Sequence, residues 1–439
     1  MLPQRYVRWL STQAPSILSA EAARTQRNGV KYLPTNLDPK STLLFIDKII
    51  GQSLSKNLDL IQPDMHDEIR HSVSEEMDKT ANRVLFGLPL CRNTVYLGIL
   101  RVFIILMGAS TLLVGQLPPW GLRFIVGVLL SIPIWVFKKL CLAYVRPLVH
   151  ERLQAMDKHG GSQGLQKEGA HDFVTQSIKS VKKFKNEIHG EASSYLAEQF
   201  LILAFVSMAT TGAAATNIFL DILAADPNIN LYETLRLEAE SVFITEADWT
   251  SPASMKKLVN MDSAIRESLR INTLQSRGLL KEVIAKDGIL LPDGTPVPQG
   301  IWLGVPLQAM QLDEHLYANA HTYDPLRFAR LQATASSDES SGIGKGLLDA
   351  AQPSEQYLSF SYGRSACPGR WFAVRLLKLI IAYIVLHYDI KPLGHRPANI
   401  SFGDASIPSF STKIVVRRRW SNKEKENLWR GSGKHGTHS

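Results

Sequence analysis

Residues 360–373 read Phe360-Ser-Tyr-Gly-Arg-Ser-Ala-Cys367-Pro-Gly-Arg-Trp-Phe-Ala373, and an apolar run without Gly or Pro continues from there to Leu386. That run predicts a buried helix leaving a loop that carries one cysteine. Gly363 and Gly369 flank the sulfur; lacking a Cβ, they let the backbone turn tightly, approach a flat ligand and aim N–H groups at the sulfur. Phe360 would shield it from water. A lone cysteine is most often a small core residue. One surrounded in this way suits an axial thiolate on haem iron, which favours cleavage of the O–O bond.

The pattern Phe-x-x-Gly-x-x-x-Cys-x-Gly-x-x-x-Ala resembles the haem-binding signature of the cytochrome P450 monooxygenases. The form Gly-Arg-x-Ala-Cys-Pro-Gly-Arg-x-Phe-Ala is similar to the filamentous-fungal branch of secondary metabolism, which includes ent-kaurene oxidase-like enzymes. The resemblance implies a mainly α fold with a small β region, holding haem b. Cys367 would be the metal ligand, with Phe360, Gly363, Arg364 and Gly369 around the cofactor. It also implies O2, electrons from NADPH-cytochrome P450 reductase and a hydrophobic substrate, with a terpenoid as the expectation. One departure stands out: where the family usually places Arg or His on a haem propionate, two residues before the ligand, this chain has Ser365.

Glu267 and Arg270 lie three apart in Met261-Asp-Ser-Ala-Ile-Arg-Glu-Ser-Leu-Arg270 and so share a helix face. Taken alone, such a pair is usually a solvated one. Tyr323-Asp-Pro-Leu-Arg327-Phe328 resembles the family's Pro-x-Arg-Phe segment, and by that resemblance Arg327 joins Glu267 and Arg270 in a buried network locking the loop under the haem.

Residues 203–222 form an apolar helix with a small polar patch. By resemblance Thr210 falls on the threonine of the family's distal helix, where its hydroxyl serves proton delivery. Ala209 replaces the usual acid and Ser207 the usual Gly, so Thr211 or water is expected to substitute. The plainer reading is a helix whose Ser and Thr bond back to its own carbonyls. In residues 280–305 short strands alternate with Gly and Pro turns, and Asp293-Gly294 signals a hairpin. The segment resembles the sheet beside the haem, giving Lys281 the role of propionate ligand and turning Leu279 and Leu280 toward substrate.

The chain has 439 residues, 45% hydrophobic and 20% charged, enough for a substantial core. The resemblance predicts one domain over residues 1–419, with 420–439 as a basic, disordered tail. Only Cys91, Cys141 and Cys367 are present, too few for a disulfide framework and consistent with a reducing, cytosol-facing compartment. The net charge of +9 comes without zinc-finger spacing or a stacking motif, so nucleic acid is not expected; an acidic reductase or an anionic membrane surface is. Gly342-Ile-Gly-Lys-Gly346 lacks the spacing of a phosphate loop and reads, with the Ser-rich stretch before it, as a flexible insertion.

The first residues are charged and amphipathic and resemble a stretch inside the family's fold. A membrane anchor and part of the first sheet are therefore expected to be missing, with a further shortening between Glu76 and Ala81. Val102–Leu117 and Leu122–Phe137 are strongly apolar, yet each falls short of the ~20 residues of a spanning helix, which favours buried or interfacial helices. Their position resembles the roof of the substrate pocket, and Trp120 and Trp135 suit an interface. The expected location is the cytosolic face of the endoplasmic reticulum membrane. Two rival readings remain: a truncated, haem-binding but inactive remnant, and a membrane-embedded protein without enzymatic activity.

Overall fold

The structure is a computed structural model that describes residues 1–30, 50, 57–72, 78–117, 122–158, 173–181, 192–337, 348–409 and 411–419. The basic tail, the Gly342–Gly346 stretch, Trp120 and residues 76–77 at the start of the expected shortening lie outside the described residues.

In chain order the helices are α1 Val7–Thr12, α2 Ala20–Arg27, α3 Leu58–Ser72, α4 Asp78–Phe86, α5 Thr94–Gln116, α6 Leu122–Lys158, α7 Phe173–Val181, α8 Ala192–Leu223, α9 Leu231–Val242, α10 Glu246–Thr250, α11 Pro252–Lys257, α12 Val259–Ile271, α13 Leu307–Gln311, α14 Arg327–Ser337 and α15 Arg370–His387. Their starts follow local chemistry. Ser19 caps α2 by accepting from the Ala22 N–H at 3.0 Å, and Asn93 caps α5 by accepting from Tyr96 N–H at 2.9 Å. Thr245 and Asp248 form a capping box on α10, and Pro252 opens α11 where no N–H is needed. Helix α15 buries Phe372, Leu376, Leu377, Leu379, Ile380 and Val385, as its continuous apolar run predicts.

Strands are few. β1 Leu18–Ser19, β2 Gly278–Val283 and β5 Trp302–Val305 form an antiparallel sheet in the order β1-β2-β5. β3 Ile289–Leu290 and β4 Pro296–Val297 make the hairpin that Asp293-Gly294 signals, with Gly294 at φ 85°. β6 Tyr388–Ile390 pairs with β9 Val416–Arg418, and β7 Ile400–Phe402 with β8 Ala405–Ile407. The fold is mainly α with a small β region. One hydrophobic core joins α3 to α12 and α15; a second joins the first residues of the chain to the sheet through Leu2, Val7, Leu10, Val283 and Val305. The Leu2 N–H donates to the Gly304 carbonyl at 2.7 Å, stitching the start of the chain to β5.

The apolar segments need a correction. α5 runs 23 residues and α6 runs 37, because helical pairing continues through the polar residues that bound each apolar run. Windows in α5, α6 and α8 are long and apolar enough to cross a membrane by length and composition. α5 nevertheless buries Tyr96, Leu100, Phe103, Met107 and Val114, and the Lys138 ammonium at the centre of α6 pairs with Glu198 of α8 at 3.0 Å. Both helices are thereby tied into the core. Along the first half of α6, Phe124, Ile125, Leu129, Ile132 and Trp135 stay exposed.

Candidate haem-thiolate site

The loop before α15 is held from several sides. Ser359 Oγ donates to the Leu269 carbonyl at 2.9 Å, fastening the loop to the last turn of α12. Cys367 N–H donates to Phe360 O at 2.8 Å and Ala366 N–H to Gly363 O at 3.1 Å, closing the loop on itself. Gly363 sits at φ 62°, and a Cβ there would stand 2.9 Å from Ser11 Cβ in α1. Both the conformation and the space demand glycine. Gly369 precedes α15, and a Cβ on it would touch Cys367 Sγ at an ordinary contact distance of 3.9 Å, so this glycine lies directly beside the sulfur. Phe360 packs on the main core.

Burial pushes the Cys367 thiol up; the Gly369 N–H, the Arg370 charge and the Arg370 N–H pull the other way. The sulfur therefore keeps its proton until a cation replaces it, and the directed N–H groups then stabilise the thiolate. Cys91 and Cys141 offer no such setting. Both are fully enclosed in the core, and burial drives their thiols up to about 11 and about 12.

The structure brings Glu267, Arg270 and Arg327 together. Arg270 Nε and Nη2 donate to Glu267 Oε2 and Oε1, each at 2.8 Å, and Arg327 Nε donates to Oε1 at 3.1 Å. Glu267 and Arg270 are fully buried, and the Asp324 N–H adds a bond to Glu267 at 3.2 Å. Arg270 also donates to the Gln311 carbonyl and Arg327 to Ala318 O, so the cluster fastens α12, α13 and the start of α14.

Lys281 lies buried on β2 with no hydrogen-bond acceptor or carboxylate among the described residues. Burial lowers its pKa, and the nearby Arg364 charge lowers it further. A buried ammonium with no acid beside it and the exposed Arg364 charge nearby fit an anionic group. On α8, Val206, Ala209 and Thr210 form one exposed face in a helix whose other described residues are buried or half-buried. The Thr210 hydroxyl donates to Val206 O at 2.8 Å and Ser207 to Ala204 O at 3.2 Å, the back-bonding of the plainer reading. The Thr211 hydroxyl has no partner among the described residues. α8 packs against α15, so its small-residue face and the sulfur loop belong to neighbouring elements. A directed thiol donor, a buried ammonium with no acid beside it and a face of small side chains together fit haem.

Sequence reasoning missed two hubs. Asp221 accepts from Ser268, Asn272 and Arg396, joining α8 and α12 to the chain before β7. Asp404, in the turn between β7 and β8, pairs with Arg27 at 2.9 Å and Arg277 at 3.0 Å. Neither aspartate carries a spacing signal, because its partners come from distant segments. Leu279 and Leu280 line a pocket of about 220 Å³ beside this second hub. Arg417 and Arg419 both lie within ion-pair distance of Asp389 and remain partly or largely exposed.

Fold and site together define a haem-thiolate enzyme of the mainly helical kind. The cytochrome P450 family model matches residues 107–414, and the chain belongs to that family. It is 67% identical to cytochrome P450 monooxygenase polB of Polytolypa hystricis (strain UAMH7299), covering 95% of this chain and 83% of that protein. It is 34% identical to cytochrome P450 monooxygenase efuH of Hormonema carpetanum, covering 94% and 76%. A retinoic acid-bound cyanobacterial CYP120A1 shares the fold with a TM-score of 0.65 at 16% identity, covering 95% of this chain and 88% of that one. The protein is a fungal-type cytochrome P450 monooxygenase, whose cofactor is haem on a cysteine thiolate.

Proposed function

We propose that Cys367 is the haem ligand and that the enzyme hydroxylates a hydrophobic secondary metabolite, a terpenoid, with electrons from NADPH-cytochrome P450 reductase. The observation that carries this reading is the Cys367 loop: among the three cysteines, Cys367 is the one whose sulfur is drawn on by backbone N–H groups, those of Gly369 and Arg370. Bound haem supplies the activation of O2. The protein supplies position and protons. Lys281 and Arg364 orient the cofactor through a carboxylate, and the Glu267–Arg270–Arg327 network keeps the loop in register with α12. The Thr210 hydroxyl donates a hydrogen bond to Val206 O, which leaves the lone pairs of Oγ1 to accept one from a water on the distal side and hold that water in place. Thr211, with its hydroxyl uncommitted, takes the part that Ala209 leaves open.

The apolar face of α6 supports a location on the cytosolic side of the endoplasmic reticulum membrane, with the face against lipid and an apolar substrate arriving from it. Turnover with the reductase, NADPH and a panel of terpenoids tests the reading. A hydroxylated product formed in proportion to NADPH consumed is the expected result. NADPH consumption that yields only hydrogen peroxide across the panel would favour the inactive remnant.

A further inference from the structure

The pocket of about 220 Å³ between α2, β2 and the cysteine loop is lined by Arg24, Arg27, Arg277, Leu279, Ser361 and Ser365. Its charge is unbalanced. Asp404 satisfies Arg27 through two nitrogens and Arg277 through Nε and Nη2, so one carboxylate serves two guanidiniums. Arg24 has no carboxylate partner among the described residues, and Nη1 of Arg277 has no acceptor among them. The wall of the pocket is also strained: Leu279 at φ 50° and Ser361 at φ 61° hold the left-handed conformation without being glycine. Strain of this kind persists where the surroundings over-determine it and collects at ligand sites. β2 carries a register shift between Gly278 and Lys281, so its pairing is irregular at Leu279 and Leu280, which line the pocket.

Ser365 opens onto these arginines. A basic side chain at 365 would carry its charge from the loop itself; serine leaves that volume empty and faces cations contributed by α2 and the segment before β2. We propose that Arg24, assisted by Arg277 Nη1, binds a carboxylate in this pocket, the haem propionate on the Ser365 side, and so replaces the charge that residue 365 lacks. Lys281 and Arg364 do not line this pocket and are left for the other propionate. The proposal rests on Cys367 being the haem ligand. Arg24 is a positioning residue here: it fixes the cofactor and takes no part in the chemistry.

Transfer of haem from the intact holoenzyme to excess apomyoglobin reads this contact without any turnover. Arg24→Ala should release haem ~10-fold faster than wild type, the factor that ~1.4 kcal/mol of lost charge-assisted bonding gives. Arg24→Lys should recover part of the difference, and Ser365→Arg in the Arg24→Ala background should recover most of it. Reconstitution with haem dimethyl ester, whose propionates cannot ionise, should erase the difference between wild type and Arg24→Ala. Release at the wild-type rate in Arg24→Ala overturns the proposal, as does an undiminished difference with the dimethyl ester. Unchanged haem release together with weakened binding of carboxylate-bearing substrates would assign the pocket to substrate instead. A wild-type protein that takes up no haem defeats the Cys367 reading and this one with it, an outcome distinct from a failure at Arg24 alone.

Discussion

Glu267 has no exposed surface and pairs with two guanidiniums, Arg270 at 2.8 Å and Arg327 at 3.1 Å. Removing the carboxylate leaves Arg270 and Arg327 buried without it, at a cost of ~3–5 kcal/mol. Glu267→Ala should lower the denaturant midpoint accordingly and reduce haem occupancy; an unchanged midpoint would contradict the structural role. Asp221 gives a pH signature. Its folded pKa is raised from 3.8 to about 6, chiefly by burial, against the pull of Arg396 and its hydrogen bonds. The folded state then holds this proton more tightly than the unfolded state does. Its contribution is fully present below about pH 4 and is lost as pH rises through about 6, in all about 3 kcal/mol. Melting temperatures of wild type and Asp221→Asn should therefore diverge across that window, wild type losing ground as pH rises. A constant difference would show that Asp221 titrates normally.

Among elements, α6 carries an unusual division of labour. One side holds Ile134, Cys141, Leu142 and Val145 in the core, while Phe124, Ile125, Leu129 and Trp135 face outward. Each such side chain moved from water into lipid gains ~1.5–3 kcal/mol, so four together suffice to hold the protein on a bilayer surface. Replacing all four with serine should cut flotation with phosphatidylcholine vesicles more than ten-fold while leaving the haem spectrum intact. Undiminished flotation would place membrane contact elsewhere. The cysteine loop is the other element on which function turns. Gly363→Ala should distort it through both the left-handed φ and the Ser11 contact, and the haem spectrum of that variant should broaden or disappear.

For the whole molecule, legibility in the sequence followed the range of the interactions. The loop at 360–373, the helix after it and the hairpin at Asp293-Gly294 are local, and their patterns state them directly. The Glu267–Arg270 pair was visible as a helix spacing; that Arg327 approaches it became readable through a family segment rather than through any spacing. Asp221 and Asp404 were invisible because their partners lie far away in the chain, for Asp404 at Arg27 and Arg277. The lengths of α5 and α6 were misjudged because hydropathy marks where a helix is buried or greasy, whereas its ends are set by capping and backbone pairing. The long-range ion pair Lys138–Glu198 ties α6 to α8, a contact that hydropathy alone does not mark. The central claim remains that one sulfur holds the cofactor iron. A carbon monoxide difference spectrum of the reduced protein tests it most directly: wild type should show the red-shifted Soret band of a thiolate adduct and Cys367→Ala should not. A red-shifted band that persists in Cys367→Ala, or none in wild type, would contradict the account.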